Sequence, residues 1–239
     1  MKLIFITVII FAAAATTTAQ TGTAQAAAAQ PANAQTTVAQ TATCVTNHNA
    51  PPANSYYWPP DTTVSVYFIR GMFTPEQREK LFAAMNTWAK SAADAGANVT
   101  FTYAGETEQL SHCNSCLTVT RRDVHKHDPK HYAFFNPLQQ SNDGLLVSAW
   151  IDFDFATTNP QALLGFMTHE LGHGMGLWDC PNCTKKKSIM RGFPGINRDN
   201  GLIAPSPCDV EVVRNVYQLH RRVENNPVAE KRVAENRKE

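Results

Sequence analysis

The 239-residue chain is 43% hydrophobic and carries 21 basic against 20 acidic residues. That is enough apolar material for one well-cored domain, and too balanced a charge for a nucleic-acid or anionic-membrane surface. No basic stripe interleaved with aromatic residues and no fixed-period repeat occurs, so a solenoid is excluded as well.

The chain opens on Met1-Lys2 and an apolar run from Leu3 to Ala15 that gives way to Thr and Ala, the pattern of a secretory signal. The run is well short of the ~20 residues that span a bilayer, so a signal peptide of residues 1–19 is expected, cleaved after Ala19 or Ala24, and no stable membrane span. Residues 20–43 are almost wholly Ala, Gln and Thr, too poor in bulky apolar groups to offset the entropy of ordering, and read as a disordered spacer.

Folded protein is expected from the aromatic, proline-rich Tyr56 to Pro60, where Tyr56, Tyr57 and Trp58 could form a binding patch but core packing is their ordinary role. Val64, Val66 and Phe68 alternate with polar neighbours across Thr62 to Ile69, as in a half-buried strand. Thr74-Pro75-Glu76-Gln77 opens a helix, with Thr74 as cap and Leu81, Met85 and Trp88 on one face. Strands are expected over Asn98 to Tyr103, Leu117 to Arg121 and Leu145 to Phe153. Asn159-Pro160 starts a second helix that Gly176 ends, and Ser206-Pro207 starts a third with Val210, Val213, Val216 and Tyr217 as its apolar side. From Arg221 to Glu239 the chain is dense in charge and reads as a solvated tail.

The second helix carries the chemistry. His169-Glu170-Leu171-Gly172-His173 sets two imidazoles four residues apart, on one helical face, where both reach one cation. Catalytic zinc takes three protein ligands and keeps a position for water. Gly176 can turn the chain through positive φ and swing the carboxylate of Asp179 back as the third, although an aspartate after a helix also serves as a plain turn residue. Glu170 adjoins a ligand without itself binding, the position of a general base for a zinc-bound water attacking an amide carbonyl.

His169-Glu170-x-x-His173-x-x-Gly176-x-x-Asp179, followed by Ser188-Ile189-Met190, resembles the metzincin metallopeptidases. Trp150 to Asp154, Cys208-Asp209-Val210 and Val216-Tyr217 look like the matrixin branch, over residues from about Thr62 to His220. The resemblance implies an α+β metzincin-like (zincin) domain over residues 44–220: a twisted mixed β-sheet, three main helices and a zinc cleft at the active-site helix. It implies a secreted zinc endopeptidase, with Met190 an apolar floor under the histidines and not a ligand. It also implies that a protein or peptide substrate lies as an extended strand along an edge strand Leu145 to Phe153, with Gly192 to Gly201 walling the specificity pocket. A monomer is expected.

Three departures stand out. Aspartate replaces the usual third histidine at position 179, as in the snapalysin group; Gly192 stands where astacins and serralysins have a ligand tyrosine; and the matrixin latency cysteine motif is missing. Rival readings are a gluzincin, for which Glu211 is the first downstream glutamate, and a secreted non-catalytic zinc-binding module on the same scaffold.

The remaining polar clusters could bind further cations or simply be solvated. His125, His127, His131 and Asp128 suit a second, structural zinc but read better as a solvated loop, and Asp143, Asp152 and Asp154 offer oxygen to calcium but are ordinary near strand ends. In an exported chain the six cysteines are expected to pair Cys113 with Cys116, Cys180 with Cys183 and Cys44 with Cys208. Asn98-Val99-Thr100 and Asn182-Cys183-Thr184 are glycosylation sequons.

Overall fold

A computed structural model describes residues 56–141, 143–181, 183, 187–191 and 203–224. The signal and spacer segments, Cys44, Asn182, the 192–201 wall and the tail beyond residue 224 lie outside the described residues. The elements are β1 (Thr63–Ile69), α1 (Pro75–Asp94), β2 (Thr100–Thr107), β3 (Cys116–Arg122), α2 (Val124–His127), β4 (Ala133–Gln140), β5 (Leu146–Asp154), α3 (Pro160–Gly174) and α4 (Pro207–Glu224). The fold is α+β: one five-stranded mixed sheet in the order β2-β1-β3-β5-β4, with β4 alone antiparallel to its neighbour.

Local chemistry explains most boundaries. Thr74 caps α1 by a reciprocal pair, Gln77 N donating to Thr74 Oγ1 at 3.2 Å and Thr74 N to Gln77 Oε1 at 3.0 Å. At the other end of α1, Arg214 and Arg221 of α4 donate to the carbonyls of Asp94 and Gly96, placing cations where the helix dipole is negative. Asn159 caps α3 through the amides of Gln161 and Ala162, and Pro160 occupies the first turn, where it costs no hydrogen bond. Ser206 and Asp209 form the corresponding box on α4.

Helices α1 and α3 pack together against the sheet, and Trp88 Nε1 of α1 donates to Thr168 O of α3 at 2.6 Å. Val64, Val66 and Phe68 of β1 and Leu81, Met85 and Trp88 of α1 are fully buried, as their spacing foretold. Arg121 is buried too: it donates to the carbonyls of Met72, Asp154 and Thr157 and lies 4.7 Å from the Phe73 ring centroid. Helix α4 packs on α1 and buries Val212, Val213, Val216 and Tyr217, the Tyr217 hydroxyl donating to Trp58 O at 2.8 Å.

Two elements were not foreseen, α2 and β4. The second corrects an expectation: Leu145 to Phe153 is not an edge. β5 is flanked by β3 and β4, and the open edge on that side is β4. The physical reason is Pro137, which lacks a ladder donor and argues against a strand in sequence, yet is tolerated at an edge where one side of the strand needs no partner. β2 is also shifted relative to expectation: it starts at Thr100, two residues after Asn98, whose φ of 53° breaks the extended chain there.

Candidate metal centre

His169 and His173 lie on the last turns of α3, one helical turn apart, with ring centroids 5.2 Å apart. Each ring is fixed by its inner nitrogen. His169 Nδ1 bonds Ile189 O at 3.0 Å and His173 Nδ1 bonds Leu177 O at 3.0 Å. A carbonyl only accepts, so both Nδ1 atoms carry hydrogen, and in the neutral rings both Nε2 lone pairs are left for a metal.

Those Nε2 atoms converge on Asp179. Its Oδ1 is 3.1 Å from His169 Nε2 and 3.7 Å from His173 Nε2. Helix α3 ends at Gly174, and Gly176 takes φ +86°; an added Cβ there would also press Val216 at 3.1 Å. That turn brings Asp179 back over the helix end, and the Cys180–Cys183 disulfide with Cys180 N donating to Met190 O at 2.8 Å holds the loop behind it. Ligands about 2.0–2.1 Å from a tetrahedral zinc are ~3.3 Å from one another, so the two separations to Asp179 suit the ion. Among the described residues, His169, His173 and Asp179 form the group able to share one.

The electrostatics fit a site that exchanges a proton for a metal. Burial alone would lower the His169 pKa, but the hydrogen bond to Asp179, the charges of Glu170 and Asp179 and the Ile189 carbonyl outweigh it and raise it to about 9. Burial, aided by the charge of His169, pushes His173 down. Asp179, despite burial, is held below the ordinary carboxylate range by its bond to His169 and the charges of His169, His173 and His131. Glu170 is only 5% exposed, and among the described residues no hydrogen bond engages its carboxylate.

A buried carboxylate that the sequence reading had not assigned organises the next layer. Asp209 is 0% exposed and accepts from Ser188 Oγ at 2.5 Å, Ile189 N at 2.9 Å and Ser206 N at 2.8 Å. It thereby anchors the turn whose Ile189 carbonyl orients His169. Ser188 Oγ accepts from Met190 N at 3.0 Å, and the fully buried Met190 side chain lies against Gly172. A Cβ at Gly172 would collide with Met190 Sδ and come within 3.3 Å of Trp88, which explains a glycine inside this helix. The sequence signal for Asp209 was the Ser206-x-x-Asp209 capping box.

The other candidates do not join the centre. Glu211 lies on α4 and is outside the metal-sized group. Asp152 accepts from Trp150 Nε1 and Asn136 Nδ2 and pairs with Arg122, and Asp154 accepts from the amides of His125 and Ala156, so protein donors occupy both carboxylates. Asp143 accepts from Ser141 Oγ. His131 pairs with Asp128 at 2.8 Å and His125 stacks on Tyr132; among the described residues these do not form a second metal-sized group with His127. Cys113–Cys116 and Cys180–Cys183 are disulfides as expected, and Cys208 is also disulfide-bonded.

No family model and no curated protein matches the chain. Solved structures that resemble it include metalloproteinase-II from Bacteroides fragilis, at 13% identity and TM-score 0.38, covering 64% of this chain and 53% of that one. Archaemetzincin from Methanopyrus kandleri resembles it at 14% identity and TM-score 0.36, covering 70% of this chain and 98% of that one. The chain thus spans about half the length of the Bacteroides protein. What each residue here can do rests on the geometry just described.

Proposed function

We propose that the protein is a secreted zinc-dependent endopeptidase in which His169, His173 and Asp179 hold the metal and Glu170 is the general base. One observation carries the reading: two imidazoles, each with Nδ1 tied to a backbone carbonyl, aim their Nε2 atoms at one carboxylate oxygen beside a buried glutamate whose carboxylate makes no hydrogen bond among the described residues. A zinc ion held there supplies Lewis acidity that makes water nucleophilic near neutral pH and polarises a carbonyl. Glu170 takes the proton of the attacking water and delivers it to the leaving amine nitrogen. Ile189 and Leu177 keep the imidazoles in the required tautomer through the cycle. Met190 backs the helix without ligating.

An extended peptide is the substrate form that suits the open edge of β4, where ladder hydrogen bonds give affinity and side-chain pockets give choice. Export is supported by the signal-like start and by the disulfides, which persist in oxidising compartments. No helix among the described residues is long and apolar enough to cross a membrane. A monomer is proposed.

The test is casein proteolysis by wild type beside Glu170→Gln, with zinc determined on both. Zinc in both and cleavage by wild type alone is expected. Full turnover by the variant removes Glu170 from the mechanism, and zinc-loaded wild type without activity turns the reading toward a binding module.

A further inference from the structure

The proposed metal centre has a half-buried aromatic neighbour in Tyr56. The segment after Tyr56 is stitched to the end of α3. Trp58 N donates to Gly174 O at 3.0 Å, Leu146 N donates to Tyr57 O at 2.9 Å, and Tyr57 bridges to Met175. These bonds hold the backbone beside Gly174, one residue beyond His173.

The side chain is equally confined. Its ring stacks on Phe135 of the open edge strand β4, at 5.8 Å between centroids and 13° between planes. Phe135 in turn lies against the helix, 3.0 Å from where a Cβ on Gly174 would sit. Phe135 thus links the Tyr56 ring, on the edge-strand side, to the end of the helix that carries His169 and His173. Its charged surroundings are Glu170 from α3 and Asp179 from the following loop, the proposed base and the proposed third ligand; both, after burial itself, act to keep the phenol protonated.

Among the described residues the Tyr56 hydroxyl has no hydrogen-bond partner. Such a phenol, in the field of the two carboxylates of the proposed centre, can donate to a group that binds there.

Resting on the peptidase reading above, we propose that Tyr56 is a catalytic residue that donates a hydrogen bond to the carbonyl oxygen of the peptide bond under attack. The step balances without the phenol losing its proton. The water oxygen bonds to the carbonyl carbon, its proton passes to Glu170, the carbon–nitrogen bond breaks and that proton goes to the amine. The phenol O–H strengthens its bond as negative charge grows on the carbonyl oxygen. This gives the chain an electrophilic phenol from its N-terminal side, independent of the position after Met190, where Gly192 has no side chain to offer.

The test compares wild type, Tyr56→Phe and Tyr103→Phe, the last on the opposite edge strand and exposed. Three readouts are taken on each: zinc affinity by chelator competition, kcat and KM on a fluorogenic peptide that wild type cleaves in casein digests, and calorimetric affinity for a phosphinic peptide that mimics the tetrahedral carbon. Tyr56→Phe keeps the ring and its stacking. It is expected to lower kcat by roughly 100-fold with KM within about twofold, to weaken the phosphinate by a similar factor and to leave zinc affinity unchanged, while Tyr103→Phe matches wild type. Equal kcat and equal phosphinate affinity in wild type and Tyr56→Phe overturn the role of Tyr56 and leave the peptidase reading standing. Loss of zinc affinity in step with kcat also overturns it, since Tyr56 would then only position the site. Zinc-loaded wild type that neither cleaves nor binds the phosphinate overturns both.

Discussion

Removing the Asp209 carboxylate gives a graded test of how the proposed metal centre is held. Asp209→Ala strands three buried donors at once, the Ser188 hydroxyl and the amides of Ile189 and Ser206. At roughly 1–3 kcal/mol for each unsatisfied buried group, the expected loss is about 3–9 kcal/mol, a large part of the ~5–15 kcal/mol that stabilises a typical domain. Asp209→Asn keeps one carbonyl acceptor for the two amides and should cost only about 1–2 kcal/mol. Because the Ile189 carbonyl fixes the His169 tautomer, zinc affinity should fall with stability, by roughly 10- to 100-fold. Urea denaturation of the metal-free proteins and chelator competition on the folded variants measure the two effects. Equal urea midpoints for wild type, Asn and Ala, or unchanged zinc affinity in Asn, would refute the anchoring argument.

Gly172→Ala should destabilise, although alanine in a helix interior normally gains about 1 kcal/mol over glycine. The added Cβ must displace Met190 or Trp88, both fully buried, and overpacking costs roughly 1–3 kcal/mol. A double-mutant cycle with Met190→Ala should relieve much of the loss, and absence of coupling would discount the contact. The His169 pKa gives a pH prediction for the metal-free protein. A folded pKa of about 9 against an ordinary 6.5 contributes stability that is full below pH 6.5 and lost as pH rises through 9. Thermal melts should therefore show Tm falling over that window, and much less so in Asp179→Asn; a flat wild-type profile would count against the His169–Asp179 pairing. Zinc binding at pH 7.5 should release about one proton from the same pair, read as a buffer-dependent enthalpy in calorimetry.

The parts legible in sequence were those written in side chains close together along the chain. Thr74 and Gln77 announce the start of α1, alternating valines announce β1, and His169, His173 and Gly176 foretell which groups the helix end and turn bring together. What stayed hidden depends on backbone groups or on distant packing. The carbonyls of Ile189 and Leu177, which orient the imidazoles, would be the same for any residue at those positions. The glycine at 172 makes sense only once Met190 and Trp88 are seen against it. β4 was missed because Pro137 weakens its pattern, and with it went the identity of the edge, since order within a sheet is not order along the chain.

That sheet order also sets a timetable for folding. Every parallel pair joins distant segments, Thr63 to Thr100, Ser65 to Cys116 and Cys116 to Ser148, and each must close a long loop before its hydrogen bonds contribute. Only β4 and β5 meet across a short connection, from Gln140 to Leu146. The hairpin they form is the cheapest nucleus in entropy, so the strand left open at the sheet's edge is among the first to take shape. The nascent chain then carries this unpaired edge while the slower parallel strands assemble, and Pro137, having no N–H, removes one donor from it.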